Sequence, residues 1–168
     1  MNARKHTMKI LPLTAAALAG GLIATALAGK GGDWRKTASL EEKVDKLVEV
    51  MPGAAVIMHE VGDRYRNLYW AGKQGQWEFA EYQAEEIKDL IEMLQITRPA
   101  RAATAQTFLD RSYPHIEAAA RSRDWQRFQS AFADLRRACM DCHVQNDYAF
   151  IRLPAEPRAP TSIVLEAE

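Results

Sequence analysis

The sequence predicts an all-α fold, an antiparallel four-helix bundle with a short extra N-terminal helix and an irregular C-terminal tail. Apolar residues recur at helical spacings of three and four in four stretches between residues 54 and 146. Short polar or proline-containing segments separate these stretches, as the connections of a bundle would. No stretch alternates β-branched residues in the way that a half-buried strand does.

The first 28 residues have the pattern of a secretory signal peptide. A basic segment containing Arg4, Lys5 and Lys9 precedes an uncharged, alanine-rich run that ends at residue 28 in the small-residue sequence ALA. We expect cleavage after this sequence and a periplasmic location for the mature protein. The alternative is an uncleaved membrane anchor, for which the alanines and glycines make the run weakly hydrophobic.

The mature chain, residues 29–168, has the size of one domain. Cleavage removes three of the 22 basic residues and none of the 22 acidic ones, so 19 basic residues remain and the net charge is −3. Lys and Arg are not concentrated in any segment, which excludes a nucleic-acid-binding protein. The predicted organisation is a flexible leader over residues 29–38, a helical bundle over 39–150 and an extended tail over 151–168.

The short N-terminal helix has a clear start and a clear end. Ser39 and Glu42, three residues apart, form a capping box at its start. Apolar residues then recur at spacings of four and three until Pro52 and Gly53, which break or kink the segment.

Each of the four bundle helices is predicted from an apolar stripe. The first starts near Pro52, the third contains Pro114, where it must kink or restart, and the fourth has Asp124 as its N-cap. In chain order, the stripes are Ala54, Met58, Val61, Tyr65, Leu68 and Gly72; Trp77, Ala80, Ala84, Ile87, Ile91 and Leu94; Ala105, Leu109, Ser112, Ile116 and Ala120; and Trp125, Phe128, Phe132, Leu135, Cys139 and Cys142.

The fourth stripe includes both cysteines of the chain, and a histidine follows the second one. Residues 139–143, Cys-Met-Asp-Cys-His, match C-x-x-C-H, the attachment signature of c-type haem. Each thiol would add across one haem vinyl group, and the imidazole of His143 would bind the iron as the proximal ligand. Residues three and four apart share a helix face, so Cys139, Cys142 and His143 are expected to form one patch that holds one covalent haem c.

Three other interpretations of the cysteine pair are weaker. A structural zinc site needs four ligands, usually in two pairs, and this chain has one pair. A thioredoxin-like pair opens a helix after a strand, whereas this pair is late in a helix. A structural disulfide, which export would favour, leaves the adjacent His143 unexplained.

The segment AFADLRRACMDCHVQNDY, residues 131–148, resembles the last helix of cytochromes c′, which carry a haem motif near the C-terminus of a four-helix bundle. The resemblance covers this helix in the pattern AF-DL---C--CH and the rest of the chain through architecture only. Cytochromes c′ usually have a basic residue four positions after the haem histidine, where this chain has Asp147. Because of this difference, the resemblance implies a c′-like monohaem cytochrome and not a cytochrome c′ proper. The resemblance also implies that two bundles can pair as a homodimer.

The residue opposite His143 decides between two functions. In a bundle, the first turns of the first and third helices and the last turns of the second surround the end of the fourth. Met58 is the best-placed ligand, and a His/Met pair would suit electron transfer, although a methionine on a core stripe usually serves packing. His59 is another candidate ligand, but it lies about 100° around the helix from that stripe, which favours a solvated position or one at the haem edge. Further residues expected near the site are Met51, Met93, Leu94, Phe108 and Leu109.

We expect a periplasmic electron carrier that has a redox protein as donor and another as acceptor. The alternative is a five-coordinate haem protein that binds nitric oxide or carbon monoxide, the arrangement that the resemblance implies. An enzyme is not the expected function, but a small peroxidase or reductase is a third possibility. It would need an open iron and a distal acid–base group, for which His59 is the candidate. Further candidates are Arg136, Arg137 and Arg152 for the haem propionates, and Tyr65 for a hydrogen bond to a bound gas.

Overall fold

The structure, a computed structural model, describes residues 33–160. The predicted signal peptide, the start of the leader and the last eight residues of the tail lie outside the described residues. All regular elements between residues 33 and 160 are helices, so the predicted all-α class is confirmed. None of these helices combines the length and the apolar character needed to cross a membrane. The chain divides into two compact units, residues 1–46 and 47–168.

The described part of the first unit contains α1 (Trp34–Thr37) and the start of α2 (Leu40–Glu49). Residues 34–37 were predicted as flexible leader, but the Asp33 side chain accepts a hydrogen bond from the Arg35 amide at 3.2 Å and caps a helical turn there. The capping box of α2 is confirmed, because the Ser39 amide donates to Glu42 at 2.8 Å and the Glu42 amide donates to Ser39 Oγ at 3.2 Å.

The second unit contains five complete α-helices among its described residues. The first, second and fourth predicted bundle helices correspond to α3, α4 and α7, and Asp124 caps α7 by accepting from the Arg127 amide at 3.0 Å. A turn of 3-10 helix, Pro99–Arg101, joins α4 to α5. The bounds are α3 Ala54–Lys73, α4 Trp77–Thr97, α5 Ala102–Arg111, α6 Tyr113–Arg121 and α7 Trp125–Gln145.

The third predicted helix is two helices, α5 and α6, which meet at Ser112. The Ser112 amide still bonds to the Phe108 carbonyl at 2.9 Å and closes α5. Pro114 has no amide hydrogen and its ring would clash with the carbonyl four residues earlier, so the α5 ladder cannot continue through it. Pro114 instead occupies the first turn of α6, where that amide has no helical partner.

Helix packing creates a core at the centre of this unit. α4 packs against α3, α5 and α6, and α7 packs against α3, α5 and α6. The connection from α3 to α4 contains Gly75, whose φ of 75° is in the left-handed region that glycine adopts at no steric cost. The largest fully buried side chains are Ile57, Leu68, Gln83, Ile116, Phe128 and Leu135.

Aromatic packing fixes α7 against α3. The ring of Phe132 stacks on that of Tyr65 with centroids 4.5 Å apart and lies 5.1 Å from that of Tyr69. The Phe128 ring lies so close to Gly72 that a Cβ there would be 2.3 Å from Phe128 Cε1. These contacts determine which face of α7 is directed into the core, and therefore where its C-terminal turns point.

Candidate functional site

A cavity of about 210 Å³ lies where the C-terminal half of α7 meets α3, α4 and α5. Cys139, Cys142 and His143 all line it, so the structure brings the three motif side chains together at one site. Met58 of α3 lines the same cavity. Most of the remaining wall is apolar and includes Val61, Ile87, Ile91, Leu94, Phe108 and Leu135.

The two thiols are free and are not joined by a disulfide. Burial, with a smaller contribution from the neighbouring Cys142, raises the pKa of the Cys139 thiol to about 12. Cys139 is therefore a neutral thiol at physiological pH. Redox-active C-x-x-C pairs depend on a lowered thiol pKa, whereas the pKa of the Cys139 thiol is raised.

His143, in the last turn of α7, makes one hydrogen bond through its ring. Its Nδ1 lies 3.0 Å from the carbonyl oxygen of Ile151. A carbonyl oxygen can only accept, so the proton of a neutral imidazole is on Nδ1 and the lone pair is on Nε2. This is the usual arrangement of a metal-binding histidine, which donates its other ring nitrogen to a carbonyl or carboxylate.

The chain returns to His143 because α7 ends in a Schellman turn. The Tyr148 amide donates to the His143 carbonyl at 2.7 Å, and the Asp147 amide donates to the Val144 carbonyl at 3.2 Å. Asp147 is the left-handed residue of this turn, with a φ of 66°. The turn reverses the chain directly behind the motif and brings the carbonyl of Ile151 to the imidazole.

The described part of the tail, residues 151–160, has no helix or strand but is bonded to α3 and α7. Three buried or half-buried side chains donate to tail carbonyls, and Lys73 adds an ion pair with Glu156. Ile151 and Leu153 of the tail also line the cavity, so the tail is part of its wall. The three bonds are Tyr65 Oη to Pro154 O at 2.7 Å, Arg136 Nε to Leu153 O at 2.8 Å, and Trp70 Nε1 to Pro157 O at 3.0 Å.

Asn146 connects the end of α7 to α5. Its side-chain amide donates to Thr104 Oγ1 at 2.9 Å and to the Cys142 carbonyl at 2.8 Å. In the sequence, Asn146 marks only the point where the apolar stripe of α7 stops. Its partner on α5 is 42 positions away, so the connection had no signal in the local sequence.

The residues expected opposite His143 fall into two groups. Met58, Leu94 and Phe108 line the cavity. His59 is exposed on the surface of α3 and does not line the cavity. The other three, Met51, Met93 and Leu109, do not line the cavity.

Tyr65 lines the cavity and is buried, but its hydroxyl is already engaged. Its single proton is donated to the Pro154 carbonyl, so it is not available for a bound gas. Burial, followed by the neighbouring Cys139, raises the pKa of Tyr65 well above its usual value, which keeps this donor protonated.

The charged side chain on the cavity wall is one that the sequence did not single out. Arg101 lines the cavity, whereas the three arginines proposed for the propionates do not. Arg136 donates to the tail, Arg137 pairs with Asp134, and Arg152 is exposed. The signal for Arg101 was its place just after the second predicted helix, whose last turns were expected near the site.

Within residues 33–160, no three His, Cys, Asp or Glu side chains are grouped in the way that would bind a metal ion. The chain matches no protein-family model, no curated protein and no solved structure. The arguments for a function are therefore the motif and the geometry around it.

Proposed function

We propose that the protein is a monohaem c-type cytochrome that carries single electrons between a donor and an acceptor protein in the periplasm. Cys139 and Cys142 hold the haem through thioether bonds, and His143 binds the iron. The observation that carries the proposal is that these three side chains line one apolar cavity. In the proposed architecture, α3, α4, α5 with α6, and α7 are the four helices of an antiparallel bundle.

The cavity wall suits a flat and largely apolar macrocycle. Both thiols are free for attachment and are one helical turn apart. Gly62 of α3 also lines the cavity, and a Cβ on it would meet no atom within 4 Å, so this part of the wall leaves open space. Apolar pockets with a few polar groups at defined positions are typical cofactor sites.

Haem, when bound, supplies the one-electron couple of its iron. The residues of the chain attach, orient and shield it. The hydrogen bond from His143 Nδ1 to Ile151 fixes the ring orientation and increases the basicity of Nε2. The tail residues Ile151 and Leu153 form part of the cavity wall, and solvent access to the cofactor is one of the factors that sets a reduction potential.

Two observations favour an electron carrier over a gas-binding protein. Met58 lines the cavity, and its thioether, bound to the iron together with His143, would raise the reduction potential and leave no open position for a gas. Tyr65 donates its hydroxyl proton to the tail and therefore offers no hydrogen bond to a bound gas. Partners of such carriers bind through small and transient interfaces.

Optical spectra of the exported, haem-loaded protein test this function. We expect low-spin bands in both oxidation states, a methionine-to-iron charge-transfer band in the oxidised state and no response to carbon monoxide. High-spin bands that shift promptly when carbon monoxide is added would contradict the carrier function and favour gas binding.

A further inference from the structure

Arg101 is the only permanently charged side chain among the described residues that line the cavity. It ends the 3-10 turn between α4 and α5 and is half-buried. Its Nη2 donates to the Tyr148 hydroxyl at 2.9 Å, and its Cζ lies 5.1 Å from the centre of the Tyr148 ring. The guanidinium is therefore held at a defined place on an otherwise apolar wall.

A guanidinium at the edge of an apolar cavity recognises an anion. It has five N–H donors in a planar fork, and the bond to Tyr148 uses one of them. Within residues 33–160, Arg101 forms no salt bridge with an Asp or Glu. A carboxylate that enters an apolar site needs a cation or hydrogen-bond donors to offset the loss of water.

We propose that Arg101, held in position by Tyr148, binds a carboxylate side chain of the macrocycle and so fixes its orientation in the cavity. This inference rests on the proposed haem function and identifies the residue that recognises the polar edge of the cofactor. It replaces Arg136, Arg137 and Arg152, which have other partners or are exposed.

The position of Tyr148 couples this carboxylate site to the proximal side. The Tyr148 amide donates to the His143 carbonyl at 2.7 Å in the turn that ends α7. The same turn therefore positions the imidazole through Ile151 and the guanidinium through the Tyr148 hydroxyl. A planar guanidinium that is already oriented loses less side-chain entropy on binding a carboxylate.

The direct test has two steps. The first replaces the carboxylates of the ligand by esters, and the second replaces Arg101 in the protein. The full mature chain with Cys139→Ala and Cys142→Ala, which cannot attach haem covalently, is titrated with iron protoporphyrin IX and with its dimethyl ester. We expect the diacid to bind at least about tenfold more tightly than the ester, because the ester lacks the charged carboxylate that would accept a hydrogen bond from Arg101.

In this background, Arg101→Gln should abolish the preference for the diacid, and Arg101→Lys should retain part of it. The matched control Arg152→Gln, an exposed arginine outside the cavity, should keep the full preference. Equal binding of diacid and ester with Arg101 intact, or a preference that survives Arg101→Gln, would overturn the inference.

If the cysteine-free chain does not fold, as judged by circular dichroism, the same arginine variants are compared in the haem-attached protein. The readout is then the propionate-bending band in resonance Raman spectra. A shift in Arg101→Gln that is absent from Arg152→Gln supports the inference, and no shift in either overturns it. A native chain that carries no haem contradicts the proposed function itself, whereas a haem-loaded chain without these effects contradicts only the role of Arg101.

Discussion

The Nδ1 atom of His143 lies 3.0 Å from the carbonyl oxygen of Ile151. This contact assigns the proton to Nδ1 and leaves the lone pair of Nε2 for a metal ion. It exists because Asp147, in the left-handed conformation, ends α7 and reverses the chain. The geometry of the proposed proximal ligand therefore depends on a turn that lies outside the C-x-x-C-H motif.

The turn at Asp147 predicts an unusual gain of stability from glycine. A side chain other than glycine in the left-handed region costs roughly 1 kcal/mol, so Asp147→Gly should raise the free energy of unfolding by about that amount. The control Asp89→Gly, in the exposed middle of α4, should lower it by about 0.3–1 kcal/mol, through the lower helix propensity of glycine and the loss of the ion pair with Lys88. Urea unfolding measures both, and a loss of stability in Asp147→Gly would contradict the role of the turn.

The hydrogen bond from Tyr65 to the tail predicts that removal of the Tyr65 hydroxyl lowers the free energy of unfolding. Tyr65→Phe leaves the Pro154 carbonyl without its donor and should cost about 1 kcal/mol of unfolding free energy. Limited proteolysis should then cut the tail faster. Tyr82→Phe is the control for the tail, because Tyr82 is 45% exposed and its side chain bonds to Arg64 and not to the tail, and it should leave tail cleavage unchanged. An unchanged tail in Tyr65→Phe would argue against the anchoring role.

Alkaline pH should destabilise the protein through two buried tyrosines. Burial raises the pKa of Tyr65 and of Tyr113, the latter helped by Glu117, which accepts its hydroxyl proton at 3.1 Å. The folded state keeps these protons where the unfolded state loses them, so the stabilisation is complete below about pH 10 and declines above it. Denaturation of the Cys139→Ala, Cys142→Ala chain, which lacks the buried thiol of Cys139, at about pH 8 and about pH 11 measures the decline, which Tyr65→Phe should reduce. A free energy of unfolding that rises between these two pH values would contradict the prediction.

The contact between Gly72 and Phe128 predicts a steric penalty. A Cβ at Gly72 would lie 2.3 Å from the Phe128 ring, which is fully buried and cannot move away freely. Gly72→Ala should therefore cost about 1–3 kcal/mol. Phe128→Leu creates space, so the double variant should lose less than the sum of the two single losses. Additive losses in thermal or urea unfolding would show that the two positions are not in contact.

Met58 and Met93 give a matched pair of variants for the position opposite His143. Met58 lines the cavity, whereas Met93 is 42% exposed on α4. In the haem-loaded protein, Met58→Leu should remove the charge-transfer band and make the reduced protein bind carbon monoxide, because leucine offers no ligand. Met93→Leu should have the spectra of the unmodified protein. A charge-transfer band that survives in Met58→Leu would exclude Met58 as the ligand.

Local sequence chemistry was sufficient for the starts of α2 and α7. Ser39 with Glu42, and Asp124, were predicted as caps because the bonds they make lie within a few residues of each other. The choice between a kink and a restart at Pro114 depends on packing, and the sequence left it open. Helix α1 was missed because it is only four residues long and has no apolar stripe, and its cap Asp33 was the one available signal.

The residues of the candidate site also fall into two groups, those predicted from the local sequence and those whose positions depend on the fold. Cys139, Cys142 and His143 were predicted because the motif is local, and the structure brings them to one cavity. Arg101 and the carbonyl of Ile151 were not predicted, since their positions follow from the backbone path after each helix. The partner of Tyr65 is a backbone carbonyl 89 residues away, which no side-chain pattern encodes.

Intact-mass spectrometry of the exported protein, produced in a bacterium that attaches haem to cytochromes c, tests the central claim most directly. The predicted result is the mass of the mature polypeptide plus one haem, retained in acid and lost in the Cys139→Ala, Cys142→Ala variant. A mass equal to the polypeptide alone, or lower by the two hydrogens of a disulfide, would contradict the claim.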